Sequence, residues 1–175
     1  FVCINRLSPG LVSHTSGGRV TIGEFDGNRD GRAEEISRRF KEAKIPATAV
    51  EDLRKAQWEK LIWNIPFNGM AVSEGGVTTD VLLADSEIEA HLRKLMREVV
   101  DAAHAKGIPV DESLIDWNIE RTKSIGAYRP STMIDFVEGR ELELGPIWGE
   151  PLRQGKEAGA AMPALDDLLA RIQVR

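Results

Sequence analysis

The sequence predicts a mainly helical chain, in which a bundle of about six helices follows a short α/β segment. Two observations carry this prediction. Residues 1 to about 50 contain short apolar runs separated by turn residues, with one helical pattern among them. After residue 50, apolar residues recur at helical spacing in long segments, and few strand signals remain. We therefore expect two domains, 1–50 and 51–175.

About three strands are expected near the amino end, in the runs 1–4, 10–14 and 19–23. The run 1–4 has the pattern of a buried strand without a preceding turn, so we expect the chain to begin partway through a larger domain. Residues 26–31 alternate acidic and amide side chains, as a calcium loop does, but a calcium loop follows a helix, so an ordinary turn is favoured. A helix over 32–43 and an extended piece over 47–50 complete one strand–helix–strand repeat.

Long helical patterns dominate the remainder, over 51–72, 86–106, 111–124, 141–158 and 163–174. The first contains Pro66, which removes one helix hydrogen bond, so we expect a bend near residues 62–64. In the second, Ser86 is the expected N-cap because Glu89 follows three residues later, which is a capping box. Gly107 then ends that helix.

The composition argues against several kinds of function. The net charge of −5 and the sequence pI near 5.3 disfavour nucleic-acid binding. Cys3 is the only cysteine, so no internal disulfide can form, and a reducing, cytoplasmic setting is expected. No apolar run approaches the roughly 20 residues that cross a bilayer. The histidines lack metal-pair spacing and no GxSxG occurs, so we expect neither a metal centre nor a serine hydrolase.

Three polar residues, Lys60, Asn64 and Asn68, lie four apart in an otherwise apolar helical segment. On a helix they form one stripe that drifts by about 40° per step. The stripe has two interpretations, a partly exposed helix edge or a donor-rich wall that faces a small anionic or carbonyl substrate. The residue chemistry by itself does not separate them.

Three further polar residues have ordinary structural explanations. Ser131 follows a proline, where a serine is most often a helix cap, and Asp135 would then be a first-turn acid. Glu143 precedes the segment that contains Trp148, and an acid in a first helical turn interacts favourably with the helix dipole.

Taken in order, these segments resemble the carboxyl-terminal part of the 2-dehydropantoate 2-reductases, also called ketopantoate reductases. The first family motif is a tryptophan, a lysine two residues later, and asparagines four and eight residues after the lysine; it matches Trp58, Lys60, Asn64 and Asn68. The second motif matches Ser131, Asp135, Gly139, Arg140, Glu143 and Gly149. The motifs stand in the expected order about 70 residues apart, which makes the pair more specific than either one.

The resemblance implies a fold as well. It implies a helical bundle of the ketopantoate reductase and 6-phosphogluconate dehydrogenase C-terminal type, which binds substrate and forms the dimer. Residues 1–50 would be the incomplete end of a Rossmann domain that binds the dinucleotide. Because no GxGxxG occurs in this sequence, we expect this chain alone to bind NADPH poorly and to be inactive.

For the intact enzyme, the resemblance implies hydride transfer from NADPH to the ketone of ketopantoate, which gives pantoate for pantothenate and coenzyme A biosynthesis. Lys60 would be the general acid, because an ammonium supplies both a proton and positive charge to the developing alkoxide. Asn64 and Asn68 would hold the substrate hydroxyl and orient the lysine. Ser131 would bind the carboxylate, and Glu143 would lie near the nicotinamide ribose and the substrate.

The partners expected are a 2-oxo acid and a second copy of the chain in a homodimer, with no nucleic acid, membrane or metal.

Four residues depart from the family pattern: Pro66, Tyr128, Thr132 and Gly145. Tyr128 stands where a polar amide helps to bind substrate. Two other readings therefore stay open, a dehydrogenase for a different 2-oxo acid and a non-catalytic helical interaction module. Exposed sheet edges also lead us to expect self-association or instability of this chain alone.

Overall fold

The backbone of residues 2–174 is described by a computed structural model, and everything below concerns those residues. For residues 2, 3, 5, 15 and 16 it concerns the backbone only. The chain divides into two compact units between Ala56 and Gln57, a few residues beyond the predicted boundary at residue 50. No helix among the described residues is both long and apolar enough to span a membrane.

The first unit contains an antiparallel hairpin and one strand–helix–strand repeat. Strands β1 (Val2–Ser8) and β2 (Leu11–Gly17) form the hairpin, and the turn between them contains Gly10 at φ 80°. Strand β3 (Val20–Ile22), helix α1 (Arg32–Glu42) and strand β4 (Ala47–Ala49) form the repeat, with β3 and β4 parallel. The three early strands, the helix and the extended piece expected from the sequence are all present.

Two details of this unit bear on the sequence interpretation. The description of run 1–4 as a buried strand is wrong at Ile4, whose side chain is 51% exposed, because β1 pairs only with β2 among the described strands; Phe1 lies outside the described residues. In the segment 26–31, Asp26 accepts a hydrogen bond from the Asn28 amide and Asp30 accepts one from the Arg32 amide, each at 3.0 Å. These bonds are those of an ordinary turn.

The second unit is helical, as predicted. Its helices are α2 (Leu53–Ser73, which begins in the first unit), α3 (Thr79–Ala84), α4 (Ser86–Ala105), α5 (Leu114–Ile125), α6 (Ser131–Val137), α7 (Glu150–Glu157) and α8 (Pro163–Gln173). A π turn, Gly145–Gly149, leads into α7. These are seven α-helices among the described residues where about six were expected, because the short helix α3 gives no periodic signal in the sequence.

Helix α2 lies at the centre of the helical unit. Every residue from 65 to 73 is buried, so this half of the helix is surrounded by protein. Gly69 permits this packing, since a Cβ there would lie 2.6 Å from Leu168 Cδ2 and 2.9 Å from Trp148 Nε1. The helix continues through Pro66, and the bend expected near residues 62–64 stays a prediction.

The N-cap of α4 is Asp85, and the expectation that Ser86 fills this position is wrong. The Asp85 carboxylate accepts hydrogen bonds from the backbone amides of Glu87 and Ile88, at 2.8 and 3.2 Å. Asp85 has the extended backbone that a cap requires, with φ −100° and ψ 119°, while Ser86 is already helical. Asp85 and Ser86 are both residue types that favour an N-cap, and the N-cap position is filled by Asp85.

Helix α8 has no capping side chain of its own, because its N-cap is Met162 and its first residue is Pro163. Its first two free amides, Ala164 N and Leu165 N, each donate a 2.9 Å hydrogen bond to a different oxygen of Glu98 on α4. The Glu98 side chain is buried. A buried carboxylate from one helix therefore caps another helix that is distant in sequence.

Replacement of Glu98 tests this contact. Glu98→Ala leaves two buried amides without acceptors, which should lower the free energy of unfolding by about 3 kcal/mol. Glu98→Gln retains one acceptor oxygen and should cost about half as much. Urea unfolding followed by circular dichroism measures both. Asp101→Ala, an exposed acid on the same helix, is the matched control; a Glu98→Ala loss no greater than that of the control would contradict the capping role.

His91 on α4 makes stability depend on pH. Its Nε2 lies 3.5 Å from Arg171 Nη2 on α8. Burial, and then the charges of Arg171 and Lys94, lower the pKa of His91, while Asp167 and Glu98 act in the opposite direction. The unfolded chain therefore binds a proton at a higher pH than the folded chain does.

This contribution is fully present above the ordinary histidine pKa of about 6.5 and is lost as the pH falls through the lower folded value. We expect the urea midpoint to fall between pH 7.5 and pH 5, and to fall less in His91→Asn. Arg171→Gln should reduce the dependence only in part, since burial of His91 remains. Equal pH dependence in the wild-type protein and His91→Asn would contradict the assignment.

Candidate active site

The stripe of polar residues on α2 runs from the surface into the core. Lys60 is exposed, Asn64 is half-buried and Asn68 is only 2% exposed. Each step of four residues advances about 6 Å along the helix axis. One helix therefore presents an ammonium group and two amides at increasing depth.

Asn68 joins α2 to the first turn of α6. Its Nδ2 donates to the backbone oxygen of Asn64 at 2.9 Å, and its Oδ1 accepts from the backbone amide of Thr132 at 3.1 Å. The hydroxyl of Ser131 lies 3.5 Å from the same Oδ1. The N-cap of α6 is Pro130, which has no side-chain acceptor, so Asn68 supplies the acceptor that the helix start lacks.

These bonds correct two local interpretations. Ser131 is the first residue of α6 and makes no capping hydrogen bond, so its interpretation as a cap is wrong. Asp135 consequently falls beyond the first turn of α6. Its carboxylate accepts from Arg140 Nε at 2.8 Å, and its backbone oxygen accepts from the Arg140 amide at 2.8 Å. Asp135 and Arg140 thus close the turn after α6, where Gly139 has φ 67°.

The loop before Ser131 is held by α3, and the helix that precedes it is held by α2. Thr79 Oγ1 donates to the oxygen of Gly126 at 2.7 Å and accepts from the amide of Tyr128 at 3.1 Å. The amide of Thr79 donates to the oxygen of Tyr128 at 3.0 Å. On α2, Trp63 Nε1 donates to Thr122 Oγ1 at 2.9 Å. Thr79 therefore fixes the loop itself, while the Trp63 bond fixes the last turn of α5, from which the loop starts.

Glu143 lies two residues before a π turn that Trp148 anchors to α2. Trp148 is fully buried in the π turn, and its Nε1 donates to the backbone oxygen of Ile65 at 3.0 Å. The carboxylate of Glu143 is exposed and precedes the π turn, so its interpretation as a first-turn acid is wrong; Glu150 has that position in α7. The helix expected from residue 141 begins later, because the π turn Gly145–Gly149 is its first regular segment and α7 follows at Glu150.

The structure brings Asn64, Asn68 and Ser131 into one chain of contacts, with Lys60 one turn before Asn64 on the same helix. The π turn that follows Glu143 is attached to α2 at Ile65. Within residues 2–174, the side chains of Lys60, Asn64 and Glu143 make no hydrogen bond or ion pair, so their polar atoms are available to a ligand. In the same range, no cluster of three or more potential metal ligands occurs.

Sequence reasoning missed several residues that build this site, namely Trp63, Thr79 and Trp148. Each forms its decisive hydrogen bond with a residue more than 40 positions away. Local periodicity contains no signal for such partners. A tryptophan within the first motif and one within the second were visible, but their bonding partners were not.

Comparison with known proteins identifies the family. The family model described as "Ketopantoate reductase PanE/ApbA C terminal" matches residues 52–175. The 2-dehydropantoate 2-reductase of Nostoc sp. is 33% identical over 99% of this chain and 56% of its own length. The chain thus spans little more than half the length of this relative.

Solved structures agree in fold. The crystal structure of 2-dehydropantoate 2-reductase from Geobacter metallireducens GS-15 has a TM-score of 0.94 and 37% identity, covering 99% of this chain and 58% of that one. A dimeric ketopantoate reductase from Staphylococcus aureus shares the fold at a TM-score of 0.79 and 20% identity, covering 99% and 59% of the two chains. On the family match, the two motifs and the fold, this chain belongs to the ketopantoate reductase family.

Proposed function

We propose that this chain forms the substrate-binding half of an NADPH-dependent reductase that converts 2-dehydropantoate to pantoate, on the route to pantothenate and coenzyme A. The observation that carries the proposal is the contact between Asn68 and Ser131, because it joins the first family motif to the second. Lys60 and Asn64 extend from the same stripe with unoccupied polar atoms. A small molecule with a carbonyl and a carboxylate matches this set of donors.

Lys60 acts as the general acid. When bound, the reduced nicotinamide supplies the hydride, which adds to the carbonyl carbon. The carbonyl electron pair moves onto oxygen, and Lys60 Nζ gives that oxygen its proton, so that a hydroxyl group forms. Before transfer, the ammonium also stabilises the negative charge that grows on the oxygen. Because Lys60 is exposed, solvent can return the proton to it.

The other residues bind and position the substrate. The free amide of Asn64 suits the carbonyl or hydroxyl of the substrate, and the Ser131 hydroxyl suits its carboxylate. Asn68 was expected to contact substrate, but its oxygen and one of its amide hydrogens already serve the protein. We therefore assign Asn68 a positioning role, in which it fixes α6 and presents Ser131 to the substrate.

Glu143 is the residue of this chain that suits the nicotinamide cofactor. An exposed carboxylate without a partner among the described residues can accept hydrogen bonds from both hydroxyls of a ribose.

The choice of NADPH over NADH is part of the proposal. So are the cytoplasmic location, which the single cysteine favours, and a homodimer, which the dimeric Staphylococcus aureus protein of the same fold supports.

Lys60 variants of the full-length gene product test the central role. Lys60→Ala should lower kcat about 10²–10⁴-fold, since a positioned general acid contributes that much. Lys60→Arg keeps the positive charge but releases a proton far less readily, so kcat should fall while KM for 2-dehydropantoate changes little. The assay follows NADPH absorbance.

Lys106→Ala, an exposed lysine at the end of α4, provides the control and should retain full activity. If Lys60→Ala kept wild-type turnover, the role assigned to Lys60 would be contradicted. If the wild-type protein reduced no 2-oxo acid, the proposed function would be contradicted.

A double-mutant cycle tests whether Asn68 acts through Ser131. Ser131→Ala and Asn68→Ala should each raise KM about tenfold with a smaller change in kcat, because each weakens carboxylate binding. The double variant should have a KM close to that of the weaker-binding single variant, since both changes interrupt the same contact. Multiplicative effects on KM would show instead that Asn68 contributes independently of Ser131.

A further inference from the structure

Two consecutive glycines, Gly75 and Gly76, follow the buried end of α2. Both have left-handed backbones, with φ 86° and φ 90°. The Gly75 amide donates to the oxygen of Val72 at 3.0 Å, and the Gly76 amide donates to the oxygen of Ala71 at 2.8 Å. Such bonds are typical of a helix that ends in glycine. Because they bind the turn to α2, the position of Gly76 is set by that helix.

The two glycines differ in their surroundings. Among the described residues, a Cβ at Gly75 would meet no atom within 4 Å beyond its chain neighbours. A Cβ at Gly76 would lie 2.7 Å from Val137 Cγ2 and 3.5 Å from Phe136 Cδ1. Carbon atoms in contact are normally about 3.5–4.0 Å apart, so the first of these distances is a clash. Since Val137 is the last residue of α6, the missing side chain at Gly76 allows the end of α6 to approach the turn.

Helix α6 is thus held at both ends by α2 and the turn that follows it. At the first turn of α6, Asn68 accepts from the amide of Thr132, which is buried. At the other end, Val137 lies against Gly76 although its side chain is 52% exposed. A valine in a helix has one strongly preferred χ1 rotamer, so Val137 cannot easily rotate away from a new side chain. A Cβ at Gly76 would therefore displace the end of the helix.

The chain that leads to Glu143 leaves α6 at the end that Gly76 contacts. The Arg140 amide donates to the backbone oxygen of Asp135 at 2.8 Å, and Arg140 Nε donates to the Asp135 carboxylate at 2.8 Å. These two bonds tie the turn after α6 to the helix itself. The turn therefore moves with the end of α6.

Glu143 is directed outward by the residues on either side of it. Leu142 and Leu144 are half-buried and pack against the core, while Glu143 is exposed. The backbone oxygen of Glu143 accepts a hydrogen bond from the amide of Ile147 in the π turn, at 3.3 Å. Glu143 thus lies on a short segment between the end of α6 and the π turn. The position of its carboxylate depends on where both are held.

From these contacts we propose that Gly76 is a positioning residue for Glu143. Without a side chain, Gly76 lets the end of α6 close on the turn after α2, and this determines where Glu143 meets the nicotinamide ribose. The inference rests on the proposed function and adds that the two ends of α6 position groups for different ligands. The first turn, through Asn68 and Ser131, positions a group for the 2-oxo acid, and the last turn positions one for the cofactor.

The variants Gly76→Ala and Gly75→Ala of the full-length gene product test this role. Both place a Cβ on a left-handed residue and share that strain, but only Gly76→Ala displaces Val137. Gly76→Ala should raise the Kd for NADPH about fivefold and the KM for 2-dehydropantoate less than about twofold, because Asn68 still holds Ser131. Gly75→Ala is the matched control and should change each constant less than about twofold. Titration of NADPH fluorescence measures Kd, and NADPH absorbance at saturating cofactor measures KM.

Removal of the displaced methyl groups should restore cofactor binding. Because Val137 is half exposed, Val137→Ala alone should change the Kd for NADPH less than about twofold. In the double variant Gly76→Ala/Val137→Ala, the new Cβ fills the space left by Val137 Cγ2. Its Kd should therefore return to within about twofold of the Gly75→Ala value. Such a rescue distinguishes displacement of α6 from a general loss of stability.

Asp135→Ala tests the turn after α6 without a change at Gly76. It removes the side-chain bond to Arg140 and should raise the Kd for NADPH about threefold. Loss of a negative charge by itself favours an anionic cofactor, so weaker binding in this variant reports a change of position.

Each contrary result has a distinct meaning. If Gly76→Ala binds NADPH as Gly75→Ala does, or raises the KM for 2-dehydropantoate as much as the Kd for NADPH, the inference is wrong and the proposed function stands. If Gly76→Ala does not fold, the other two variants decide. Failure of the double variant to fold, or unchanged NADPH binding in Asp135→Ala, then overturns the inference. If the wild-type protein reduces no 2-oxo acid, the proposed function and the inference are both overturned.

Discussion

The hydrogen bond from the Thr132 amide to the buried side chain of Asn68 connects the two halves of the candidate site. Helix α6 begins after a proline and contains no residue that caps it, so its first turn needs an acceptor from elsewhere. Asn68 supplies that acceptor from the centre of α2. As a result, the place where α6 starts, and with it the position of Ser131, is determined by a residue more than 60 positions earlier.

A second helix in the helical unit is also capped by a buried side chain from a distant helix. Helix α8, whose first residue is Pro163, likewise has no capping side chain, and Glu98 of α4 supplies both acceptors. In each case a buried polar group is stabilised because it satisfies backbone amides that would otherwise lack partners. These contacts tie short helices to the long helices α2 and α4 at defined positions. Apolar packing by itself would allow each short helix to slide, since it has no directional preference.

The long helices and the order of the early strands could be predicted from the sequence, because hydrophobic periodicity is a local property. Helix α4, predicted over 86–106, is Ser86–Ala105. The caps were less predictable, as the choice of Asp85 over Ser86 depends on one residue's backbone conformation. The short helix α3 was missed, since six residues give too few apolar repeats to show a period.

The residues of the candidate site could be named from motif spacing. Motif spacing did not show which of them bond to other protein groups and which keep polar atoms for a ligand. Spacing put Lys60, Asn64 and Asn68 on one stripe of α2, which the structure retains. Only the folded chain decided that Asn68 faces α6 while Asn64 and Lys60 keep free polar atoms. The ring contact between Trp63 of α2 and Tyr128 of the loop before α6 likewise depends on the tertiary fold.

By itself, then, the sequence determined which segments are helical and which residues could carry chemistry, since both depend on residue type and local spacing. The tertiary structure decided which polar groups are used up inside the protein and which remain for a ligand. The physical reason is that a hydrogen bond is satisfied by whichever partner lies within about 3 Å in space, and separation along the chain does not encode that distance.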